Sequence, residues 1–325
     1  MLETTRRALF GAGAAILASP AYAQAPQGFP SRPLTLVAPF TPGGPIDVLA
    51  RILAQGFTQR SGVAAQVDNR TGGGGTIGID LVRRATPDGA TMLVIPAGNL
   101  TISPTIVRNL PYDVERDFAP VSMMATTPNV IVAAAGAPIR SVADLVAMAK
   151  ARPDSISYGS SGVGSQLHLQ MELLRSKAGI ELLHVPYRGT TQALTDLLGG
   201  RIQLLSSNLP VVLEGVRERR LQAIAVTTAQ RVAQLPEVPT LAEAGFDIDV
   251  TSWYGLLVPR ATPAATIRAI TEMTEAVLRA PDNARGLAAQ GLDILCEPPD
   301  VFAARLRRET SLWADVIRAR GITAE

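Results

Sequence analysis

A short apolar strand that stops at a proline-glycine turn and resumes as an amphipathic helix constrains this chain more than any other stretch. Residues 34–53 read LTLVAPFTPGGPIDVLARIL. Leu34 to Ala38 have the unbroken apolar character of a buried strand, and Pro39, Pro42, Gly43 and Gly44 end it and leave bare backbone. Pro45 falls near the first helical position, where a missing N–H is no loss, and Val48, Leu49, Ile52 and Leu53 make one apolar stripe. A helix that starts beyond a strand's carboxyl end points unpaired N–H groups and a partial positive charge into the adjoining crevice. Such an arrangement suits a small carboxylate.

The first 23 residues are expected to form an export signal. Arg6 and Arg7 form its charged region, Ala8 to Ala18 an apolar run too short to cross a membrane, and Ala21-Tyr22-Ala23 an A-x-A cleavage site, leaving Gln24 as the mature start. The two arginines fit a twin-arginine route or a Sec route, and the product is expected in the periplasm. Formal charge falls from +2 to +1 when two arginines and Glu3 leave, so nucleic acid is not an expected partner. With one cysteine, Cys296, in an apolar run, and only two histidines, neither a disulfide nor a metal site is expected. No later run is long enough to span a bilayer.

About 300 residues remain, and their rhythm is that of an α/β fold. Strands are expected at 64–68, 92–95, 121–124, 130–134, 156–158, 182–185, 202–205, 223–227 and 251–258. Helices are expected at 79–85, 141–151, 166–178, 191–198, 263–278 and 299–318, the last with Phe302, Leu306, Trp313 and Val316 on one face. Residues 96–101 read as a polar loop. The series strand, glycine turn, helix recurs at Ile156 to Ala178 around Gly159-Ser160-Ser161-Gly162-Val163-Gly164-Ser165. Two similar halves, each presenting a helix N-terminus to a shared crevice, predict a hinged two-lobe binding protein.

Each candidate residue has two readings. Thr41, Gly43 and Gly44 either form a turn or hold an anion through backbone. Asp47 either stabilises the helix dipole and bonds loop amides or meets a ligand's hydroxyl or amine. Ser160, Gly162, Gly164 and Ser165 can offer hydroxyls and amides, with Ser165 also an N-cap. Asn99, Thr101 and Asn208 lie at strand ends, where polar side chains either face the crevice or bond their own loops. Tyr187 is a candidate cleft wall, Arg188 a cation there or a solvated one, and His184 a core histidine. Ser165 with His168 lacks the G-x-S-x-G elbow of a hydrolase. Gly73-x-Gly75-x-x-Gly78 satisfies the dinucleotide fingerprint but follows a second strand and lacks the acidic partner.

Nine stretches in one order resemble the substrate-binding proteins of tripartite tricarboxylate transporters, the Bug or TctC-like family. They are Pro33 to Asp47 (P-x-x-L-V-x-P-F-x-P-G-G-x-x-D), Asn69 to Gly78 (N-R-x-G-x-G-G-x-I-G), Pro87 to Gly89, Leu110 to Val121, Tyr158 to His168 (Y-x-S-x-G-x-G-S-x-x-H), His184 to Gly189, Ala193 to Gly200, Leu235 to Gly245 and Ser252 to Pro259. The resemblance implies a type II periplasmic-binding-protein fold of the two-lobe, Venus-flytrap kind. The first lobe is expected at 24–127 plus 252–325 and the second at 128–251. It also implies a carboxylate ligand (a di- or tricarboxylate, aromatic acid or amino acid) held between Thr41 to Asp47 and Ser160 to Ser165. No cofactor and no catalysis are implied; a monomer would hand its solute to two membrane subunits. Ile46, Thr71 and Ser206-Ser207-Asn208 depart from the commoner pattern, where a small polar residue, a proline and a phenylalanine-aspartate-asparagine run stand. Rival readings are a ligand sensor for a sensor kinase, an exported oxidoreductase and a serine hydrolase.

Overall fold

The computed structural model describes residues 29–187 and 189–323. The expected signal and its cleavage near Ala23, and the position of Arg188, lie outside the described residues.

The chain opens as expected with β1 (Leu34–Ala38) and α1 (Pro45–Ser61), then β2 (Ala65–Asn69), a 3-10 turn at Gly73–Gly75, α2 (Thr76–Arg83) and β3 (Thr91–Pro96). β1 pairs in parallel with both β2 and β3. The buried face of α1 is Ile46, Leu49, Ala50, Leu53, Ala54 and Phe57, rotated from the expected stripe so that Val48 and Ile52 are only partly covered. Against the expectation of a loop, residues after β3 fold into short helices, α3 (Ala97–Thr101) and α4 (Ser103–Ile106). Leu100, Ile102 and Ile106 supply the apolar anchors for these turns, a signal too brief for periodicity to register.

After α5 (Val114–Asp117), β4 (Phe118–Thr127) completes the first pass, and β5 (Asn129–Ala134) begins a second sheet. That sheet continues through α6 (Val142–Ala151), β6 (Ser157–Ser160), α7 (Gln166–Ala178), β7 (Leu183–Pro186), α8 (Thr190–Leu198), β8 (Leu204–Asn208), α9 (Leu209–Arg217) and β9 (Leu221–Val226). Ser141 and Ser165 cap α6 and α7 by accepting from Asp144 N and His168 N. β10 (Ser252–Pro259) then returns to the first sheet, followed by α10 (Ala264–Leu278), α11 (Pro281–Ala289), β11 (Asp293–Glu297) and α12 (Pro299–Arg320). α9 and α11 were not expected from the sequence. Each carries a proline in its first turn, where it initiates rather than breaks a helix.

Both sheets follow one plan. The first runs β11-β4-β10-β3-β1-β2 and the second β7-β6-β8-β5-β9. In each, three parallel strands are followed by the strand that has just entered from the other sheet, inserted antiparallel: β10 between β3 and β4, β5 between β8 and β9. Cores on both faces hold each sheet, and α12 serves both. Its Phe302 and Leu306 pack with the first sheet, its Trp313, Val316 and Ile317 with the second.

Candidate functional site

The carboxyl ends of the parallel strands of both sheets meet around a cleft of about 480 Å³. Phe40, Gly73, Gly74, Thr76, Gly98 and Asn99 line it from the first sheet, and Ser161, Val163, Gly164, Ser165, Gln166 and Leu167 from the second. Its floor is Asn208 with Ser252, Trp253 and Tyr254 of the returning strand. Another hollow of about 500 Å³ lies beside α11 and β11 but draws all its lining from residues 279–294, so it joins nothing across the sheets.

Asn99 is held in place from both sides. Its Nδ2 donates to Gly74 O at 2.7 Å and its carbonyl accepts from Tyr112 Oη at 2.6 Å. Four consecutive glycines, 72 to 75, have positive φ, and a Cβ on Gly75 would lie 3.2 Å from Asn99 Nδ2 and 3.3 Å from Phe40 Cζ. Opposite, a Cβ on Gly98 would lie 3.8 Å from Gly164 O, so the two loops face each other. On the floor, Asn208 Nδ2 donates to Asn129 Oδ1 (2.7 Å) and Ser252 Oγ (3.0 Å), and Ser252 Oγ donates to Asn129 Oδ1 (2.9 Å). Asn129 then donates to Gln170 Oε1 at 2.7 Å and Gln170 to Ser206 Oγ at 2.6 Å. This neutral chain ties the two inserted strands to α7. Trp253 is anchored from behind by donating Nε1–H to Glu309 Oε2 at 2.7 Å.

Among the described residues, no lining residue is ionisable in the ordinary pH range. The polar contribution comes from amides, hydroxyls and the N-terminus of the thirteen-residue α7, whose first residues, Gln166 and Leu167, line the cleft.

Of the residues singled out from the sequence, Asn99, Gly164, Ser165 and Asn208 come together here. Thr41, Gly43 and Gly44 form an exposed turn just beyond Phe40 and are not among the lining residues. Asp47 is buried with both oxygens engaged: Oδ2 accepts from Gly43 N (3.0 Å) and Arg51 Nε (2.8 Å), and Oδ1 from Asn69 Nδ2 (3.1 Å). Those bonds hold its pKa below the usual carboxylate value despite burial. Thr101 is fully buried and donates to Ala97 O; Tyr187 donates its hydroxyl to Asp196 Oδ2. Ser160 is buried against His184 Nε2 at 2.7 Å, and Gly162 donates its amide to Ser160 Oγ. Ser165 Oγ accepts from the backbone of His168 and donates to Gly162 O, while the His168 ring meets Gly164 N, so serine and imidazole do not form a dyad. Gly73, Gly74 and Thr76, part of the 69–78 family stretch but not among the residues singled out for the ligand, form a cleft wall. Its position after the second parallel strand, also at a carboxyl end, was the available signal. Trp253 and Tyr254 lie in the 252–259 family stretch and Gln166 at the expected start of a helix, but none was singled out for the ligand.

Behind the cleft, burial presses His168 down to about 4 and His184 to about 3. Both values lie below the unfolded 6.5, so as pH falls the unfolded chain binds protons that the folded chain refuses. Stability is therefore expected to drop between pH 7 and pH 5 by about 2 kcal/mol per histidine, measured by urea unfolding. The carboxylates with lowered pKa, Glu172 and Glu181 (the latter about 2), act only at lower pH. Equal unfolding midpoints at pH 7 and 5 would contradict this.

The family model described as tripartite tricarboxylate transporter family receptor matches residues 49–322. The chain is 38% identical over 316 residues to the "UPF0065 protein in tcbD-tcbE intergenic region" of Pseudomonas sp. (strain P51), covering 96% of this chain and 93% of that protein. Among solved structures it is similar to "R. palustris Rpa4515 with adipate", at 33% identity and a TM-score of 0.80, covering 91% and 99% of the two chains. It is also similar to "periplasmic binding protein BugD", at 31% identity and a TM-score of 0.76, again covering 91% and 99%.

Proposed function

This chain belongs to the tripartite tricarboxylate transporter receptor family, and on that premise we propose that it captures a small carboxylate in the cleft between its two sheets and delivers it to the membrane subunits of such a transporter. The fold is the two-lobe, type II α/β arrangement of periplasmic binding proteins. The lobes divide at 24–127 plus 252–325 and 128–251, the crossings being the stretches that lead into β5 and β10. The receptor works in the periplasm as a monomer, its signal removed near Ala23 by the Sec or twin-arginine route, and performs no chemistry. Among the described residues no helix is long and apolar enough to cross a membrane.

The carrying observation is a cleft that combines the N-terminus of α7 with hydroxyl and amide groups and, among the described residues, contains no side chain ionisable near neutral pH. An anion there is held by charge-assisted bonds from fixed neutral donors, without the desolvation of a buried cation. Asn99 and Gln166, each with an amide proton to spare, and the start of α7 are the proposed contacts, whereas Ser165, Thr76, Ser252 and Asn208 already spend their donors within the protein and shape the cleft instead; the Thr41 to Gly44 turn approaches when the lobes close. The lining offers no carboxylate to an ammonium group, and Asp47 is already saturated, so acids without an amine are favoured over amino acids.

A thermal-shift panel of adipate, malate, benzoate and glutamate tests this. A bound acid at a hundredfold excess over its Kd adds about 2.7 kcal/mol of stability, a rise of several degrees in Tm. The shift should be accompanied by a change in Trp253 emission, since that residue belongs to the strand at the cleft floor. No shift with any acid would overturn the proposal.

A further inference from the structure

In the second sheet, β6, α7 and β7 bring together an aromatic stack that neither the fold nor the cleft lining explains. The rings of His168 and His184 lie 3.9 Å apart at 11°, and Tyr158 stacks on His184 at 4.9 Å. His184 Nε2 is 2.7 Å from Ser160 Oγ, at the start of the cleft loop; His168 Nδ1 accepts from Gly164 N at 3.2 Å, at its end.

We propose that His168 and His184 are positioning residues for the binding loop, one imidazole fastened to each end of residues 160–164, and that they thereby decide which amides meet the ligand. The inference rests on the cleft being the binding site. Gly164 N–H is engaged by His168, Gly162 N–H by Ser160 and Ser165 N–H by Gly162 O. The loop glycines are therefore withheld from the carboxylate, which is left the amides of Ser161, Val163, Gln166 and Leu167, all residues of the cleft lining. Acceptance at Nδ1 requires a neutral ring whose proton is on Nε2, which points toward Glu172 Oε1 at 3.6 Å.

The surroundings keep the ring neutral. Glu172 on α7 is compensated by Tyr158 Oη of β6, by Arg175 of its own helix and by Arg320 of α12. Arg175 and Arg320 also bind Glu181, ahead of β7. A protonated His168 would lie against a second imidazole with Arg175 nearby, and burial disfavours both charged rings.

The test uses the full mature chain. In the ligand-free protein at pH 6, nitrogen-15 NMR of labelled histidine should find His168 neutral with Nδ1 unprotonated; a protonated Nδ1 overturns the proposal. His168→Phe keeps a ring in the stack and removes the acceptor, whereas His168→Asn returns an acceptor near the Nδ1 position. The Gly164 amide should exchange about tenfold faster in the first variant and recover in the second. Adipate affinity should fall about tenfold and recover in parallel. Unchanged Gly164 exchange in His168→Phe overturns the proposal, as does weakening that the asparagine variant fails to rescue. If adipate does not bind the parent protein, the ligand reading is at fault, while the tautomer and exchange results still decide the role of the histidines.

Discussion

A chain carrying Gly164→Val is expected to bind carboxylates at least about a hundredfold more weakly and to lose about 2–3 kcal/mol of stability. Gly164 has φ +73, a conformation that a β-branched residue adopts only under strain, and a Cβ there would lie 2.0 Å from Ile106 Cδ1. Ile106 is itself buried among the core residues of the second sheet. The clash falls on the end of the Ile106 side chain, which turns aside only by disturbing the core around it, and the positive-φ strain stays on the loop that leads into Ser165 and α7. Gly164 N–H would also move off His168 Nδ1. Gly136→Ala provides the comparison, since that turn glycine has φ +80 but open space around it, far along the chain from the cleft. It should cost about 1 kcal/mol from backbone strain and leave binding unchanged. Calorimetry with the acid chosen by the thermal-shift panel reads both variants. Equal affinity in Gly164→Val and the parent would contradict the placement of this loop against α4.

Glu172→Leu is expected to be the most destabilising single change on the second sheet, by about 3–5 kcal/mol in urea unfolding. Glu172 is 3% exposed and accepts from Tyr158 Oη at 2.7 Å and from Arg320 Nε at 3.1 Å, with Arg175 closing the group at 2.5 Å. Removing the carboxylate leaves a buried phenol without its acceptor and two guanidiniums with only Glu181, which is half exposed. Breaking one partner of such a group costs more than the group contributes, because the remaining charges stay desolvated. The same residues fasten the end of α12 to α7, so the variant should also expose the last turns of α12 to proteolysis. A loss below about 1 kcal/mol would show that the ion group is dispensable.

Local rules account for what could be read directly. Ser141 and Ser165 as caps, Pro45 at a helix start and the face of α12 all follow from chemistry within one turn of the residue concerned, and the helices form there. The bounds of α7 were legible because cap, apolar run and the left-handed Gly179 lie on one continuous stretch. Asn99, Gly164, Ser165 and Asn208 were reachable by a rule almost as local, that polar residues at the carboxyl ends of parallel strands face the crevice. α9, α11 and the α3 turn escaped because short helices are stabilised by neighbours distant in sequence rather than by their own periodicity.

By itself, then, the order of residues determined an α/β chain with two strand, glycine loop and helix units and a helix N-terminus in each. Tertiary structure alone decided which glycines face the cleft. Asp47 and Asn69 draw the 41–44 turn onto α1, and the 73–76 wall comes forward because Asn99 holds Gly74. The entry of β5 and β10 into opposite sheets brings Asn129, Asn208 and Ser252 together as a floor. The physical reason is that a cap or an apolar stripe is satisfied within a few residues. Strand insertion and side-chain competition for a single acceptor are settled between residues as distant in sequence as Leu93 and Leu257, by whichever partner arrives with the better geometry.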